Sequence, residues 1–302
     1  MSQAFAHTQR ISPVPALGSL RDRVKGAVIE PGQDGWDAAT QAFNTTVIQQ
    51  PALVAVPADS DDVVAVVEYA VQNGMQVAAQ RTGHNAEPLG PMDDVILVKT
   101  DALQGVEIDV ERRIARVASG SKWADVVPKA SELGLAALHG STPDVSVAGY
   151  SLGGGVGWYA RKLGLSTNSV KAIEIVTADG KQRRVDADND PDLFWALRGG
   201  GGSFGVVTAL EIQLYAMAEV YAGVLFFPWE RSSEVLHAWL EWTATVPDDV
   251  TSVGRNGEGQ MLGQLDGEAI DRFVAAAGPQ SSSPLVSAEI RHVGGALSRP
   301  QA

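Results

Sequence analysis

The chain of 302 residues contains no cysteine. This absence excludes disulfide bonds, thiolate catalysis, iron–sulfur clusters and cysteine-ligated zinc together. It leaves the cellular compartment open, because secreted proteins can also lack cysteine. We assign no residue of the sequence as a metal ligand.

Positive charge is also scarce. The chain has 23 lysines and arginines against 36 aspartates and glutamates, a net charge of −13. Proteins that bind nucleic acids usually carry the opposite balance, so we expect no nucleic-acid partner.

Long apolar runs are missing as well. No window reaches the ~18 consecutive apolar residues of a membrane-spanning helix. Residues 1–20 contain Arg10 but no apolar stretch of signal-peptide length. We therefore expect a soluble cytoplasmic protein without a membrane partner. The composition, 45% hydrophobic and 20% charged, is that of a folded globular protein.

Glycine, in contrast, is abundant. The chain has 32 glycines, well above the usual ~7% of residues, and many of them are clustered. Clustered glycines indicate that the backbone approaches another group closely, because a side chain would prevent the contact.

Hydrophobic periodicity and turn residues predict a mixed architecture. Strands are predicted at residues 52–56, 76–80, 95–98, 106–110, 114–118, 144–148, 171–177, 182–185, 205–214, 221–227 and 285–292. Helices are predicted at residues 61–72, 121–133 with a kink at Pro128, 192–197, 232–245 and 269–277. Hairpins interleaved with helices indicate an α+β fold rather than a doubly wound sheet. We divide the chain into a loose leader (1–44), one α+β unit (45–217) and an incomplete second α+β domain (218–302).

One glycine motif matches the nucleophile elbow of serine hydrolases. It reads Gly-Tyr-Ser-Leu-Gly at residues 149–153, and His237 and His292 follow in the order of a catalytic triad. Ser151 would be the nucleophile. The alternative is a chance match in a glycine-rich loop. The elbow needs a helix directly after it, and the glycines that follow weaken that helix by ~1 kcal/mol each.

Two further motifs match the dinucleotide fingerprint. Gly-Val-Gly-Trp-Tyr-Ala at residues 155–160 is followed by Asp179, about where a ribose-binding acid would lie. The tight strand-to-helix turn of that motif is missing here. Gly-Gly-Gly-Ser-Phe-Gly at residues 200–205 follows a helix and opens a strand, which is the reverse of the required context.

A third interpretation combines the glycine clusters with Arg-Thr-Gly-His-Asn at residues 81–85. A short glycine-containing turn presents successive backbone N–H groups and can hold a diphosphate. Arg81 adds a charge nearby, and His84 brings a nucleophilic ring nitrogen. Together with the loops at 149–157 and 199–205, this turn indicates a large, flat, phosphorylated cofactor.

Four segments resemble one known family, the FAD-linked oxidase superfamily. They lie at residues 51–57, 81–85, 140–157 and 192–208. The resemblance is to the vanillyl-alcohol-oxidase or PCMH type of FAD-binding domain, within the berberine-bridge-enzyme-like group. It implies an α+β, two-subdomain FAD-binding domain followed by a substrate domain. It also implies an oxidoreductase that passes hydride from an alcohol or amine carbon of a small organic or glycosylated substrate to flavin N5, with molecular oxygen as reoxidant.

The resemblance also implies which residues hold FAD. In the family the first loop holds the pyrophosphate and its histidine commonly bonds to the flavin 8α-methyl, the second loop lines the flavin, and a valine of the fourth segment meets the adenine. The matching residues here are Arg81, Thr82, Gly83, His84, Asn85, Ser141, Thr142, Asp144, Gly149, Gly153, Gly154, Gly157 and Val207.

The chain departs from the family in three ways. Thr142 stands where some relatives attach the flavin through a second, cysteinyl bond, so only the bond through His84 can form. Val156 stands near an active-site tyrosine of some relatives, and we assign no catalytic base. Tyr150 or Tyr159 would have to compensate. The second domain resembles only parts of the family's substrate domain, so a flavin-binding protein without turnover is the alternative to an oxidase.

Overall fold

A computed structural model describes residues 18–87, 92–255, 266–281, 289–292 and 295–299. Residues 1–17 of the predicted leader, and residues 285–288 of the predicted strand 285–292, lie outside these ranges. Among the described residues, no helix combines the length and the apolar character that crossing a bilayer requires.

The first sheet has four strands in the spatial order β1–β2–β4–β3. They are β1 (Ala27–Ile29), β2 (Leu53–Val56), β3 (Gln76–Gln80) and β4 (Val95–Lys99). Strands β2 and β3 pair with β4 in parallel, and β1 pairs with β2 in antiparallel. The three predicted strands of this sheet are therefore confirmed, and β1 is an addition.

The predicted leader is not loose throughout. It contains β1 and two short helices, α1 (Gly18–Arg21) and α2 (Trp36–Thr40). Leu20 is fully buried against the core of the first sheet. The prediction of a loose leader is therefore wrong at this point, because Leu20 has an apolar partner surface in the fold.

The long helix of the first sheet is α3 (Ser60–Asn73), which confirms the prediction at 61–72. The Asp59 side chain accepts hydrogen bonds from the N–H groups of Asp61 and Asp62, which satisfies two donors at the helix start. Gly74 ends the helix with a φ of +64°. The apolar face at Val63 and Val66 is fully buried.

The second sheet has five antiparallel strands in the order β5–β6–β10–β8–β9. Its strands are β5 (Val106–Asp109), β6 (Ile114–Ala118), β8 (Val170–Val176), β9 (Gln182–Asp186) and β10 (Val206–Gln213). The short strands β7 (Leu135–Ala136) and β11 (Tyr215–Ala216) form a separate antiparallel pair. All five predicted strands of this sheet are confirmed within two residues. The hairpin between β8 and β9 turns through residues 178–180, inside the hydrogen bond from the Thr177 N–H to the Lys181 carbonyl, and Gly180 has the left-handed φ of +74° that the end of such a turn favours.

The helices around the second sheet are α4 (Trp123–Glu132), α5 (Val147–Leu152), α6 (Ala160–Leu163), α7 (Ser166–Ser169) and α8 (Pro191–Gly200). Of these, α4 and α8 have 10 residues each, and the other three are shorter. Helix α4 continues through Pro128. The predicted strand at 144–148 is wrong, because Ser146 caps α5 and Val147 already lies in the helix.

Among the described residues after residue 217, there are two α-helices and one two-stranded sheet. These are α9 (Ser232–Thr243), α10 (Gly267–Ala277), β12 (Ser252–Arg255) and β13 (Glu289–His292). Both predicted helices are confirmed. The predicted strand at 221–227 is wrong, because these residues pair with no strand among the described ones. Their side chains are exposed, from 48% for Phe227 to 105% for Tyr221.

Two large apolar cores support the sheets, and one of them is shared by both sheets. One lies between the second sheet and helices α4, α5 and α8, with Trp123 as its largest fully buried side chain. The other lies between the first sheet and α3, and it includes Val176 and Val206 of the second sheet. Because strands of both sheets share a core, the loops at their ends are held in one fixed arrangement.

Candidate functional site

The loop after β3 presents unused backbone donors. Within the described part of the chain, the N–H groups of residues 82–85 donate to no protein atom. Gly83 has a φ of +75°, and a Cβ there would lie only 3.0 Å from the Ala42 Cα. A group of unpaired N–H donors at a glycine turn suits an anion such as a diphosphate, as the sequence predicts.

The Arg81 side chain is bonded to the protein at the base of this loop. Its Nε donates to the Gly120 carbonyl at 2.6 Å, and its Nη1 pairs with Asp101 at 2.6 Å. These bonds hold the guanidinium against the protein, so Arg81 fixes the base of the loop instead of adding an unpaired charge.

A buried lysine supplies the additional charge. Lys99 at the end of β4 stands opposite Gln80 in the ladder, directly before the loop. It is 8% exposed, and burial lowers its pKa, while Asp101 raises it and Arg81 lowers it further. Because Asp101 and Arg81 both act electrostatically on Lys99, these three groups lie close together at the base of the loop.

His84 is exposed and held from two sides. Its ring stacks on Phe43 with a centroid distance of 3.8 Å and an interplanar angle of 17°. Its Nδ1 lies 2.8 Å from the Thr82 Oγ1. The imidazole is therefore oriented, although solvent reaches it.

The glycines of the second loop divide into two groups. A Cβ at Gly157 would lie 2.1 Å from the His139 carbonyl oxygen, and one at Gly155 would lie 2.6 Å from the Tyr150 ring. These glycines are required by the packing of the chain itself. Gly149 has open space, and a Cβ on Gly154 would meet only Leu165 at 4.0 Å. The second group leaves room for a flat ligand on the surface of α5.

The two tyrosines of this loop are packing residues. Tyr150 meets Trp123 edge-on at 5.6 Å, and Tyr159 meets His139 edge-on at 5.8 Å. Burial raises the pKa of Tyr150 to about 12 and also raises that of Tyr159. Neither phenol is suited to act as a base near neutral pH.

The polar residues of the second loop lie at its start. Ser141 and Thr142 are exposed, and the N–H groups of residues 140–142 donate to no described protein group. The Asp144 Oδ1 is buried without a hydrogen-bond partner among the described residues. A buried acceptor without a partner is costly, so this oxygen is suited to accept a hydrogen bond from a bound ligand.

The third loop breaks helix α8. Arg198 and Gly199 leave the helical conformation, Gly199 with a φ of +126°. Gly205 has a φ of +150°, and a Cβ there would lie 2.4 Å from the Val176 carbonyl oxygen. Val207 follows in β10 and is 7% exposed. Helix α5 contacts both α8 and residues 201–204, and β10 contacts β3, so the three glycine loops lie in one region.

The competing interpretations of the glycine motifs are wrong. Ser151 is fully buried, and its hydroxyl lies 2.9 Å from that of Ser166, so it cannot attack a substrate. His237 pairs with Asp271 instead. Residues 155–160 follow helix α5 rather than a strand, and Asp179 lies in a hairpin turn bonded to Thr177. Neither the hydrolase elbow nor the dinucleotide fingerprint has its required structural context.

Comparison with known proteins gives these loops a family. Residues 51–186 match the FAD binding domain family. The chain contains the FAD-binding domain of the FAD-linked oxidases. It is 35% identical to (R)-6-hydroxynicotine oxidase from Paenarthrobacter nicotinovorans over 72% of this chain and 47% of that protein. It is 30% identical to glucooligosaccharide oxidase from Sarocladium strictum, over 78% of this chain and 49% of that protein.

The fold of this FAD-binding domain is also that of solved relatives. The crystal structure of 6-hydroxy-D-nicotine oxidase from Arthrobacter nicotinovorans aligns with a TM-score of 0.70 at 29% identity. The alignment covers 88% of this chain and 62% of that one. The chain thus spans about half the length of the curated relatives that it matches.

Sequence reasoning missed three residues that surround the first loop of the FAD-binding domain. Phe43, Lys99 and Asp101 come from other segments and contact or flank this loop. Lys99 had a usable signal, since a lysine that ends the apolar run Val-Ile-Leu-Val is unusual in a buried strand. No signal in the sequence pointed to Phe43, because its partner His84 lies 41 residues further along the chain.

Proposed function

We propose that the chain binds FAD on the three glycine loops and forms part of an oxidase. Its substrate would be a small organic or glycosylated molecule with an oxidisable alcohol or amine carbon, and molecular oxygen would be the second substrate. The observation that carries the proposal is the set of unpaired N–H groups at residues 82–85 beside an oriented histidine. Bound FAD would supply hydride acceptance at its N5 and reaction with oxygen.

The residues of the chain would bind and orient this group. The N–H groups of residues 82–85 would hold the diphosphate, supported by the positive charge of Lys99 and Arg81. Gly149, Gly153 and Gly154 would lie along the flavin, and the structure leaves space at Gly149 and Gly154. The Asp144 Oδ1 would accept a hydrogen bond. Val207 would meet the adenine.

We further propose one covalent bond, from His84 to the flavin. A second bond through sulfur is excluded because the chain has no cysteine. The relatives that this chain matches include nicotine and oligosaccharide oxidases, which supports a carbon–nitrogen or carbon–oxygen substrate without choosing between them.

Acid denaturation tests the proposal. The purified protein, supplied with FAD, should show flavin absorption, and the colour should stay with the polypeptide after acid precipitation. His84→Ala should still bind FAD but release it in acid. A wild-type protein that stays colourless in excess FAD would contradict FAD binding itself.

A flavin-binding protein without turnover is the second candidate. Two observations favour it: Val156 has no hydroxyl near the flavin loop, and residues 220–227 of the second domain are exposed and pair with no strand among the described residues. Oxygen consumption with a panel of alcohols, amines and oligosaccharides separates the two candidates. A yellow protein that consumes no oxygen with any member supports the second.

A further inference from the structure

We propose that Asp248 of the second domain is a positioning residue for the second glycine loop, and that it acts through Arg161 of helix α6. This inference rests on the proposed function, because it assumes that FAD lies along Gly153 and Gly154. It goes further by making FAD binding depend on a residue outside the FAD-binding domain.

Asp248 bridges two arginines that lie far from it in the chain. Its Oδ1 accepts a hydrogen bond from the Nη2 of Arg161 at 3.2 Å, and its Oδ2 accepts one from the Nη1 of Arg299 at 3.0 Å. The Arg161 side chain is only 7% exposed, so its charge is largely removed from water. Removing the partner of a buried charge is strongly destabilising, because little water is left to compensate it. Asp248 therefore holds α6 against the second domain.

Asp248 lies in the turn between α9 and β12. The Val250 N–H donates to the Pro247 carbonyl at 3.1 Å, which closes this turn around Asp248. The second domain also contacts α6 through the short 3-10 helix Gly295–Ser298, which directly precedes Arg299. Two separate segments of the second domain thus meet on α6.

Helix α6 is in turn bonded to the second glycine loop. The Ala160 N–H donates to the Gly157 carbonyl at 3.2 Å, where the loop enters the helix. Beyond the other end of α6, the N–H groups of residues 166–167 donate to the carbonyls of residues 154–155, at 2.8 and 2.9 Å. The loop is therefore bonded to the chain on both sides of α6, and a displacement of α6 would displace Gly154.

This arrangement couples the second domain to the cofactor site. If docking of the second domain raises the affinity for FAD, bound FAD must favour docking by the same factor. Couplings between two sites usually change an affinity by roughly 5- to 150-fold. We therefore expect that loss of the Asp248 carboxylate weakens FAD binding about tenfold.

A neighbouring ion pair provides the matched control. Lys162 and Asp249 also join α6 to the second domain, but their side chains are 49% and 61% exposed. Exposed ion pairs contribute little, because water and salt screen them. Asp249→Asn should therefore change FAD affinity by less than about twofold.

The test compares the binding of FAD and of ADP by isothermal titration calorimetry. It uses the whole, flavin-free chain with His84→Ala in every variant, so that binding stays reversible. ADP would occupy the first and third loops but not the second. Asp248→Asn should weaken FAD binding about tenfold and change ADP binding by less than about twofold. Asp248→Glu keeps the carboxylate and should restore most of the FAD affinity.

A double variant tests whether Asp248 acts through Arg161. Arg161→Met combined with Asp248→Asn should bind FAD no more weakly than Asp248→Asn alone, because both changes break the same pair. The double variant also removes the buried charge, so it replaces Asp248→Asn if circular dichroism shows that the single variant does not fold. It should then show the same tenfold loss for FAD and the same unchanged affinity for ADP.

The outcomes distinguish this inference from the proposed function. FAD affinity in Asp248→Asn equal to that of the parent protein overturns the inference and leaves FAD binding intact. An equal loss of FAD and ADP affinity does the same, because it indicates a general loss of structure. A parent protein that binds no FAD overturns the inference and the proposed function together.

Discussion

Two glycines of the second loop should respond to alanine in opposite ways. Gly149 lies inside α5, and an added Cβ would meet no atom within 4 Å. Alanine favours a helix over glycine by about 1 kcal/mol, so the flavin-free Gly149→Ala protein should gain stability of that order, or about 2 °C in Tm at this chain length. Bound FAD, however, would occupy the open space at Gly149. Overpacking of a tight contact costs ~1–3 kcal/mol, so FAD affinity should fall about tenfold or more.

Gly157→Ala is the matched control. Its Cβ would lie 2.1 Å from the His139 carbonyl oxygen, a backbone atom that cannot move aside cheaply. The flavin-free protein should therefore lose about 3 kcal/mol, with or without a cofactor site. Urea denaturation of the flavin-free variants measures the first effect, and fluorescence titration with FAD measures the second. Unchanged FAD affinity in Gly149→Ala would refute the placement of the cofactor over α5.

Three other substitutions test the electrostatics and packing. Lys99→Met should raise the Tm of the flavin-free protein near pH 7 by about 3 °C, because burial lowers the pKa of Lys99 and its charge opposes folding. The gain should shrink as pH rises from that lowered pKa towards the ordinary value of 10.5, where the lysine of the unfolded chain also loses its charge. Tyr150→Phe should change the free energy of unfolding by less than about 1 kcal/mol in urea denaturation, because the buried hydroxyl has no partner among the described residues. In an absorbance titration, the variant should lack the tyrosinate signal that appears near pH 12 in the wild-type protein. Asp59→Ala should cost about 1 kcal/mol in urea denaturation by removing the cap of α3. The hydrogen bond from Lys25 and those of the cap lower the pKa of Asp59, so this contribution is present above its ordinary value and is lost as pH falls through the lowered one.

The fold could be predicted where the signals are local. The apolar spacing of α3, its cap at Asp59 and the stop at Gly74 all lie within 16 residues, and the structure confirms that helix. The alternation at residues 144–148 suggests a strand equally well, but the hydroxyl of Ser146 caps a helix start instead. Residues 221–227 have strong strand propensity, yet a strand also needs a partner. Propensity cannot provide that partner, and no described residue does.

The site could be predicted in its loops but not in the roles of its residues. The sequence shows where glycines cluster; it does not show that Tyr150 fills the space beside Gly155 while the space at Gly149 stays open. Likewise, Arg81 suggests a phosphate ligand until its bonds to Asp101 and Gly120 are seen. Both distinctions depend on side chains that meet from distant parts of the chain.

The exposed segment at residues 220–227 affects whether copies of the chain associate with one another in solution. Its eight residues carry no charge, and Leu225 and Phe226 are 82% and 90% exposed. Copies of the chain repel one another through a net charge of −13. That repulsion extends over about 10 Å at 0.1 M salt and only about 3 Å at 1 M, whereas the apolar attraction does not weaken. Added salt should therefore promote self-association, and dilute buffer should keep the chain dispersed.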